Sequence, residues 1–539
     1  MWIWAPSRTR WWSGAKNVFM ISNEGVGDAV RDGLRGANHS NSLAIARICN
    51  DADRPRPRPH THEEIVNTFL VHDCIAHWAQ VQPQAVALAS ECEQLTFAQL
   101  HQRVQAQAAQ WGQSACEQAA PTVLLPLHLG VVEGLVQFLA VLVSGRCAAI
   151  GDAAWPPAIA QSVQAAVAAL PPYRAAAPDL MPFYIGFTSG SSGQPKGFRR
   201  HHRSWVESFA ITAHTFGAQL TGPVLAPGRI SHSLFLFAAM LGLWTGRGAR
   251  VQEKFSAETT WAQLQQAPGS TLVAVPSQLL LLMQMAQRKG WAPLAQPSLV
   301  LISGARWMRE HTPQLQALVP QARVTEFYGA SEASYITWMD VADRAHPQTV
   351  GQPFGNVQLR IGPTPHRSLP VGEVGRIWLR SPMLFMDYVH ALDGSAAELH
   401  DGWLTVRDMG WVDAAGQLYL CGRESRMLVT QGKNLFPEEV EAWLLAQPGV
   451  AQASVIGLPD ALRGLRIHAV LHGADLPAAT ALAAGCRAQL EAFKTPRRWW
   501  RWQGAWPQTR SGKTDTATLQ AAVAQALAGQ PPAALQPWR

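Results

Sequence analysis

The chain has 539 residues, a formal net charge of +7, 47% hydrophobic residues and only 15% charged residues. That length requires at least two domains, and that composition excludes disordered and fibrous classes. The positive excess is thinly spread and lacks zinc-finger spacing, a basic helix or an aromatic RNA-binding signature, so it reads as a solvated surface; an anionic small molecule would also suit a mildly basic cleft, and nucleic acid is not expected.

The seven cysteines, Cys49, Cys74, Cys92, Cys116, Cys147, Cys421 and Cys486, are odd in number and form no CxxC pair. That usage fits a reducing cytosol, hence a cytoplasmic location, and argues against a structural metal. The most apolar runs, Val123 to Ile150 and Leu234 to Trp244, are interrupted or too short to cross a bilayer.

In chain order, residues 1–60 have no apolar periodicity and end in the proline-stiffened run Arg54 to His60. They are expected to be a disordered or non-native extension without a secretory core. Thr61 and Glu64 have capping-box spacing, and Ile65, Val66, Phe69 and Leu70 then recur at helical intervals. Next, Thr122 to Leu127 reads as strand, Glu133 to Val143 as helix and Cys147 to Ile150 as strand, a β-α-β alternation that predicts sheets flanked by helices.

The strand-like Phe183, Tyr184 and Ile185 lead into FTSGSSGQPKG, Phe187 to Gly197. Small residues such as Gly190 and Gly193 let backbone N–H groups approach a polyanion. The hydroxyls of Thr188, Ser189, Ser191 and Ser192 can donate, and Lys196 adds charge. This is a phosphate-binding loop, and it is not of the Walker type, which requires GxxxxGK[ST]. Towards the carboxyl end, Pro437 suits a helix N1 position ahead of Val440, Trp443 and Leu444, and two strand-like runs follow, Ser454 to Leu458 and Ile467 to Leu471. The expected organisation is α/β, with an extension over residues 1–60, a large domain over 61–424 and a small α+β domain over 425–539.

TSGSSGQPKG closely resembles the signature of the adenylate-forming superfamily, which includes acyl-CoA synthetases, peptide-synthetase adenylation domains and luciferases. Further motifs similar to that superfamily's follow in order from about residue 65 to 520. YGASE, Tyr328 to Glu332, resembles YGxTE with Ser331 in place of Thr. The resemblance implies that Tyr328 stacks on adenine and that Glu332 binds Mg2+. Asp408 and Arg423 match residues that hold the ribose, although Val406 and Arg407 replace the usual Thr-Gly before the aspartate. Gly304 resembles the adenine-side glycine turn, His232 the histidine near the acyl entrance, and Gly432 with Lys433 the loop that meets pantetheine. PQTRSGKTD places Lys513 at the adenylating lysine, and FKTP from Phe493 resembles YKxP. Two further departures are Ser425 at the hinge and Thr516 after the lysine motif.

The resemblance implies a large domain of helix-flanked sheets and a small mobile domain carrying the lysine. It also implies activation of a small-molecule carboxylic acid by ATP and Mg2+, then transfer to coenzyme A or, alternatively, to the phosphopantetheine arm of an acyl or peptidyl carrier protein. Peptide-synthetase domains hold an amino group with Asp in the segment matching His232 to Phe237, and HSLFLF has none. An apolar acid, fatty or aromatic, is therefore expected. A luciferase-like oxidation and a catalytically silent nucleotide-binding module are the other readings.

Overall fold

The computed structural model describes residues 70–112, 121–189, 195–343, 348–390, 397–430, 433–460, 464–508 and 514–539. The extension expected over residues 1–60 and the helix start expected at Thr61 and Glu64 lie outside the described residues. All described residues fall within one compact unit, His60–Arg539.

The largest sheet among the described residues has nine strands. The strands Ala249–Val251, Val224–Ala226, Thr271–Ala274, Leu299–Ile302 and Arg323–Ala330 run parallel in that spatial order. In the first four the residues are mostly aliphatic and all but Arg250 are buried, as expected of strands covered on both faces. Ser334–Asp340 returns antiparallel to Arg323–Ala330, so Tyr328 to Glu332 occupies the corner between these two strands.

A second, five-stranded sheet carries the phosphate-loop motif. Thr122–Leu124 and Cys147–Ala149 run parallel around the helix Val131–Val143, which is the alternation read from the sequence. Pro182–Ser189 and Pro195–His201 then form an antiparallel hairpin with Thr188 opposite Lys196 and Ser189 opposite Pro195. Asp387–His390 completes the sheet on the hairpin's outer edge. One core cluster, including Phe138, Phe183, Phe209, Leu301 and Phe354, packs between these sheets and their helices.

A six-stranded antiparallel sheet follows, in which Asp408–Val412 pairs with Leu418–Arg423. Beyond the short helical turn Glu424–Arg426, the strands Leu428–Thr430 and Lys433–Leu435 form a hairpin, and a separate four-stranded sheet contains Gln452–Asp460, Gly464–His472, Arg498–Trp502 and Leu535–Trp538. Pro437 opens the helix Pro437–Leu445 within its first turn, as its fixed φ predisposes it to do. The segment Leu95 to Leu100, LTFAQL, is a strand end followed by a helix start, where Thr96 and Gln99 make a reciprocal capping box. Among the described residues, no helix is long and apolar enough to cross a membrane.

Candidate active site

The second strand of the phosphate hairpin, Pro195–His201, alternates faces with period two. Lys196, Phe198 and Arg200 therefore share one face. Tyr388, directly opposite Phe198 on the neighbouring strand, lies diagonal to Lys196, close enough for long side chains to meet. The Lys196 ammonium sits 4.0 Å from the centre of the Tyr388 ring, a cation–π contact at a buried lysine. The Tyr388 hydroxyl donates to Glu332 Oε1 at 2.7 Å. Burial, and next the Glu332 charge, push the Tyr388 phenol above its ordinary value, so it remains a donor. Lys196 of the loop motif and Glu332 of the YGASE motif are thus joined through one tyrosine. Gly190, Ser191, Ser192 and Gly193 lie outside the described residues, as do Gly432 and Lys513.

Arg200, on the same strand face, holds the Glu332 corner in place. Its guanidinium donates to the Ser331 carbonyl at 2.7 Å, to Ser334 Oγ at 2.6 Å, to the Met383 carbonyl at 2.7 Å and to Ser204 Oγ at 3.2 Å. Only 1% of the residue is exposed. Burial pulls it down to about 9, with Glu332 opposing, so it stays charged at neutral pH. Ser334 has φ +58°, a left-handed conformation that is costly outside glycine and persists here under Arg200's grip. Replacing Arg200 by Leu is expected to cost about 3 kcal/mol or more in urea unfolding, because several buried acceptors lose their donor at once. An unfolding midpoint within error of the parent chain would contradict that role.

A second group assembles at the carboxyl end of the parallel strands. Tyr328 donates its hydroxyl to Asp408 Oδ2 at 2.5 Å, and Asp408 Oδ1 lies 3.2 Å from Arg423 Nε. Asp408 and Arg423 are register partners across their strand pair. Burial, then Asp408, raises the Tyr328 phenol well above its ordinary value. Gly304 closes the neighbouring parallel strand in a left-handed turn with φ +86°, where a Cβ would come 3.0 Å from Val275. The segment after Gly304 is tied down by Glu326, whose buried carboxylate accepts from the Trp307 backbone N–H at 2.8 Å and from Arg309 at 2.7 Å. An aromatic ring, a carboxylate paired with arginine and a glycine turn at strand carboxyl ends form the kind of crevice in which open α/β sheets bind nucleotides.

The substitution of Arg407 for the superfamily's glycine has a backbone explanation. Its φ is +62°, so the chain keeps a glycine-like turn before Asp408 with a residue that strains there. The side chain donates to Glu398 at 2.7 Å and the carbonyl accepts from the Glu424 N–H at 2.9 Å. Arg407→Gly should therefore be more stable than Arg407→Ala by about 1 kcal/mol. Both lose the ion pair and only glycine relieves the turn. Equal melting of the two variants would refute this.

Between these groups lies a cavity of about 190 Å³ lined chiefly by Phe198, Trp205, Leu234, Phe237, Phe327 and Tyr335, with Gly304 and Ser331 also on its wall. Ser331 Oγ is 3.3 Å from Ser233 Oγ, which joins the YGASE corner to the helix Ser233–Trp244. His232 is the cap residue of that helix. It is solvent-exposed and stands outside the cavity lining. Partial desolvation lowers its imidazole, with Asp152 opposing, so it is neutral at pH 7. Lys433 is exposed on its strand, with its ammonium 5.1 Å from the Phe493 ring. The structure thus gathers Thr188, Lys196, Ser331 and Glu332 on one side and Gly304, Tyr328, Asp408 and Arg423 on the other, and leaves His232 and Lys433 at the margin. Sequence reasoning missed Arg200 and Tyr388. Period-two alternation from Lys196 points to the first, whereas the run RRHHR reads as basic surface.

Comparison with known proteins agrees with this geometry. A model described as AMP-binding enzyme matches residues 113–389, more than half of the chain, and one described as AMP-binding enzyme C-terminal domain matches residues 439–513. The chain belongs to the AMP-binding enzyme family. It is 39% identical over 334 residues to the uncharacterized acyl-CoA ligase YhfT of Bacillus subtilis, covering 62% of this chain and 67% of that protein. It is 30% identical over 282 residues to the putative long chain fatty acid-CoA ligase VraA of Staphylococcus epidermidis, covering 52% of this chain and 58% of that one. Its fold is similar to ATP-bound MatB from Rhodopseudomonas palustris, with TM-score 0.70, 22% identity and coverage of 84% and 99% of the two chains. It is likewise similar to the o-succinylbenzoate CoA synthetase MenE of Bacillus subtilis, with TM-score 0.69, 20% identity and coverage of 83% and 97%. The resemblance drawn from the phosphate loop and YGASE therefore holds for family and fold.

Proposed function

We propose that the chain is an AMP-forming acid–thiol ligase. A carboxylate oxygen of an apolar acid bonds to the ATP α-phosphorus as the bond to pyrophosphate breaks. A thiol sulfur then bonds to the acyl carbon as AMP leaves. The observation that carries this reading is the apolar cavity whose wall includes Ser331 and Gly304: an acid held there meets the junction of the Glu332 group and the Tyr328–Asp408 group.

In this reading Tyr328 and Gly304 border the adenine, and Asp408 with Arg423 accepts and donates at the ribose hydroxyls. Thr188, Lys196 and the intervening loop hold the phosphates. Glu332 is the residue that would hold Mg2+, a hard cation suited to carboxylate oxygen; bound there, the cation would neutralise phosphate charge. Residues 425–539 are assigned as the moving small domain, with Lys513 acting in adenylation and Gly432 and Lys433 bordering the thiol arm. Relatives named as acyl-CoA ligases support the thiol acceptor.

Pyrophosphate release from ATP across a panel of carboxylic acids tests the first step. Acid-dependent release is expected, and coenzyme A should then yield a thioester. Thioester formed only on a phosphopantetheinylated carrier protein would move the acceptor to the carrier, and absence of release with every acid would overturn the reading in favour of a silent nucleotide-binding module.

A further inference from the structure

The shape of the cavity narrows the acid beyond its being apolar. We infer, resting on the ligase reading, that the acid is a compact monocarboxylate of about the size of one aromatic ring with a short substituent, and that Trp205 and Phe237 set this limit. Long-chain fatty acids and dicarboxylates are excluded.

Size comes first. The cavity's 190 Å³ is close to the roughly 150 Å³ that accommodates a benzene ring in a packed protein interior, and it lies below the ~300–1,000 Å³ of pockets that enclose larger ligands. The cavity also has a closed end. Trp205 meets Phe237 edge to face at 5.3 Å, Phe237 meets Tyr335 at 5.5 Å, and Tyr335 meets Phe327 at 4.8 Å. Behind these rings stands a second layer, with Phe209 at 4.9 Å from Phe237 and Phe354 stacked at 4.7 Å on Tyr335. Phe209 and Phe354 are 0% and 1% exposed. Close-packed aromatic layers of this kind do not yield to an extending chain without displacing several rings together.

Charge supplies the second half of the argument. Arg200 is the single charged residue on the cavity wall among the described residues, and its donors already serve Ser204, Ser331, Ser334 and Met383. A second carboxylate on the acid would be buried among rings without a free cation, which is costly. A flat ring, by contrast, gains edge-to-face contacts with Trp205, Phe237 and Tyr335.

The test uses the full chain with ATP and Mg2+. Acid-dependent pyrophosphate release is measured for benzoate, cinnamate, octanoate, palmitate and succinylbenzoate. Benzoate or cinnamate should exceed palmitate and succinylbenzoate in kcat/KM by about 100-fold or more. Trp205→Ala should raise KM for the ring acids and bring octanoate to parity or better. Phe237→Leu, a milder change, should shift the profile the same way should Trp205→Ala melt below assay temperature. Palmitate or succinylbenzoate as the fastest acid, or an unchanged size profile in both variants, overturns the inference and leaves the ligase reading intact. A readout independent of turnover separates the two claims: calorimetric titration with the benzoyl and palmitoyl sulfamoyl-adenosines, stable mimics of the acyl-adenylate. Tighter binding of the benzoyl compound by a chain that turns over no acid supports the cavity assignment and refutes the ligase reading. Tighter palmitoyl binding refutes the cavity assignment, and binding of neither refutes both.

Discussion

Lys513→Ala is expected to slow acyl-adenylate formation by about 10³-fold, the scale of losing one charge partner aimed at a transition state, while leaving thioester formation from synthetic acyl-adenylate nearly unchanged. The asymmetry follows from what each step needs. As a carboxylate approaches an α-phosphate, two anionic centres crowd together, and a positioned ammonium lowers that barrier electrostatically. Thiol attack on the mixed anhydride is directed at an activated carbonyl carbon and expels AMP as an anion, so it has no such crowding. In the proposed reading, the superfamily resemblance of PQTRSGKTD implies that the small domain carries this lysine away before the thiol enters. Pyrophosphate release and thioester formation measured on one purified variant decide the matter. Equal damage to both would assign Lys513 to folding or docking, and damage to neither would make it a solvated surface charge.

How legible this site is from sequence depends on how locally its parts are encoded. FTSGSSGQPKG stands out because a hairpin loop that brings backbone N–H groups to phosphate needs small residues at consecutive positions, and the motif is contiguous. YGASE is likewise one corner between two paired strands. Arg200 and Tyr388 are different. Three of Arg200's four acceptors lie 131 to 183 positions away and the acceptor of Tyr388 lies 56 positions away, and nothing in the neighbouring residues distinguishes a buried arginine with four acceptors from an exposed one. The apolar cavity is the extreme case. Its rings come from two helices and three strands spread from Phe198 to Tyr335, so its volume exists only after folding. The departure at Arg407 is visible as a mismatch, but its meaning requires φ: the backbone there lies in the left-handed region that favours glycine.

The fold divides along similar lines. The β-α-β run from Thr122 to Ala149 follows from apolar periodicity because each element buries one predictable face. The order of the nine-stranded sheet does not, since adjacent strands such as Val86–Ala89 and Ala249–Val251 are separated by more than a hundred residues. Local chemistry can specify that a segment is a strand; which neighbour it finds is decided by the competition among all faces of the core.

Glu332→Gln is the second large effect expected, a fall of about 10²–10³-fold in pyrophosphate release with the fold preserved. The structure supplies the reason for the preserved fold: the amide oxygen of glutamine can still accept from the Tyr388 hydroxyl, and the backbone carbonyl of residue 332 still accepts from the Phe385 N–H. What disappears is the negative charge. A hard divalent cation binds carboxylate far better than amide oxygen, so the Mg2+ concentration needed for half-maximal rate should rise along with the loss in rate. Buried Arg200 also loses the charge that opposes its desolvation, yet its four hydrogen-bond acceptors remain, so unfolding should shift little. Tyr388→Phe is the discriminating companion. It leaves the carboxylate charged and removes only its orienting donor, for which a 10- to 100-fold weakening of metal affinity is the usual scale. If Glu332 binds the cation, the order of damage is Glu332→Gln above Tyr388→Phe, with both rescued in part by high Mg2+. If Glu332 instead serves only to neutralise Arg200, then Glu332→Gln should depress stability more than activity, Tyr388→Phe should be silent in turnover, and the Mg2+ dependence of both variants should match that of the parent chain.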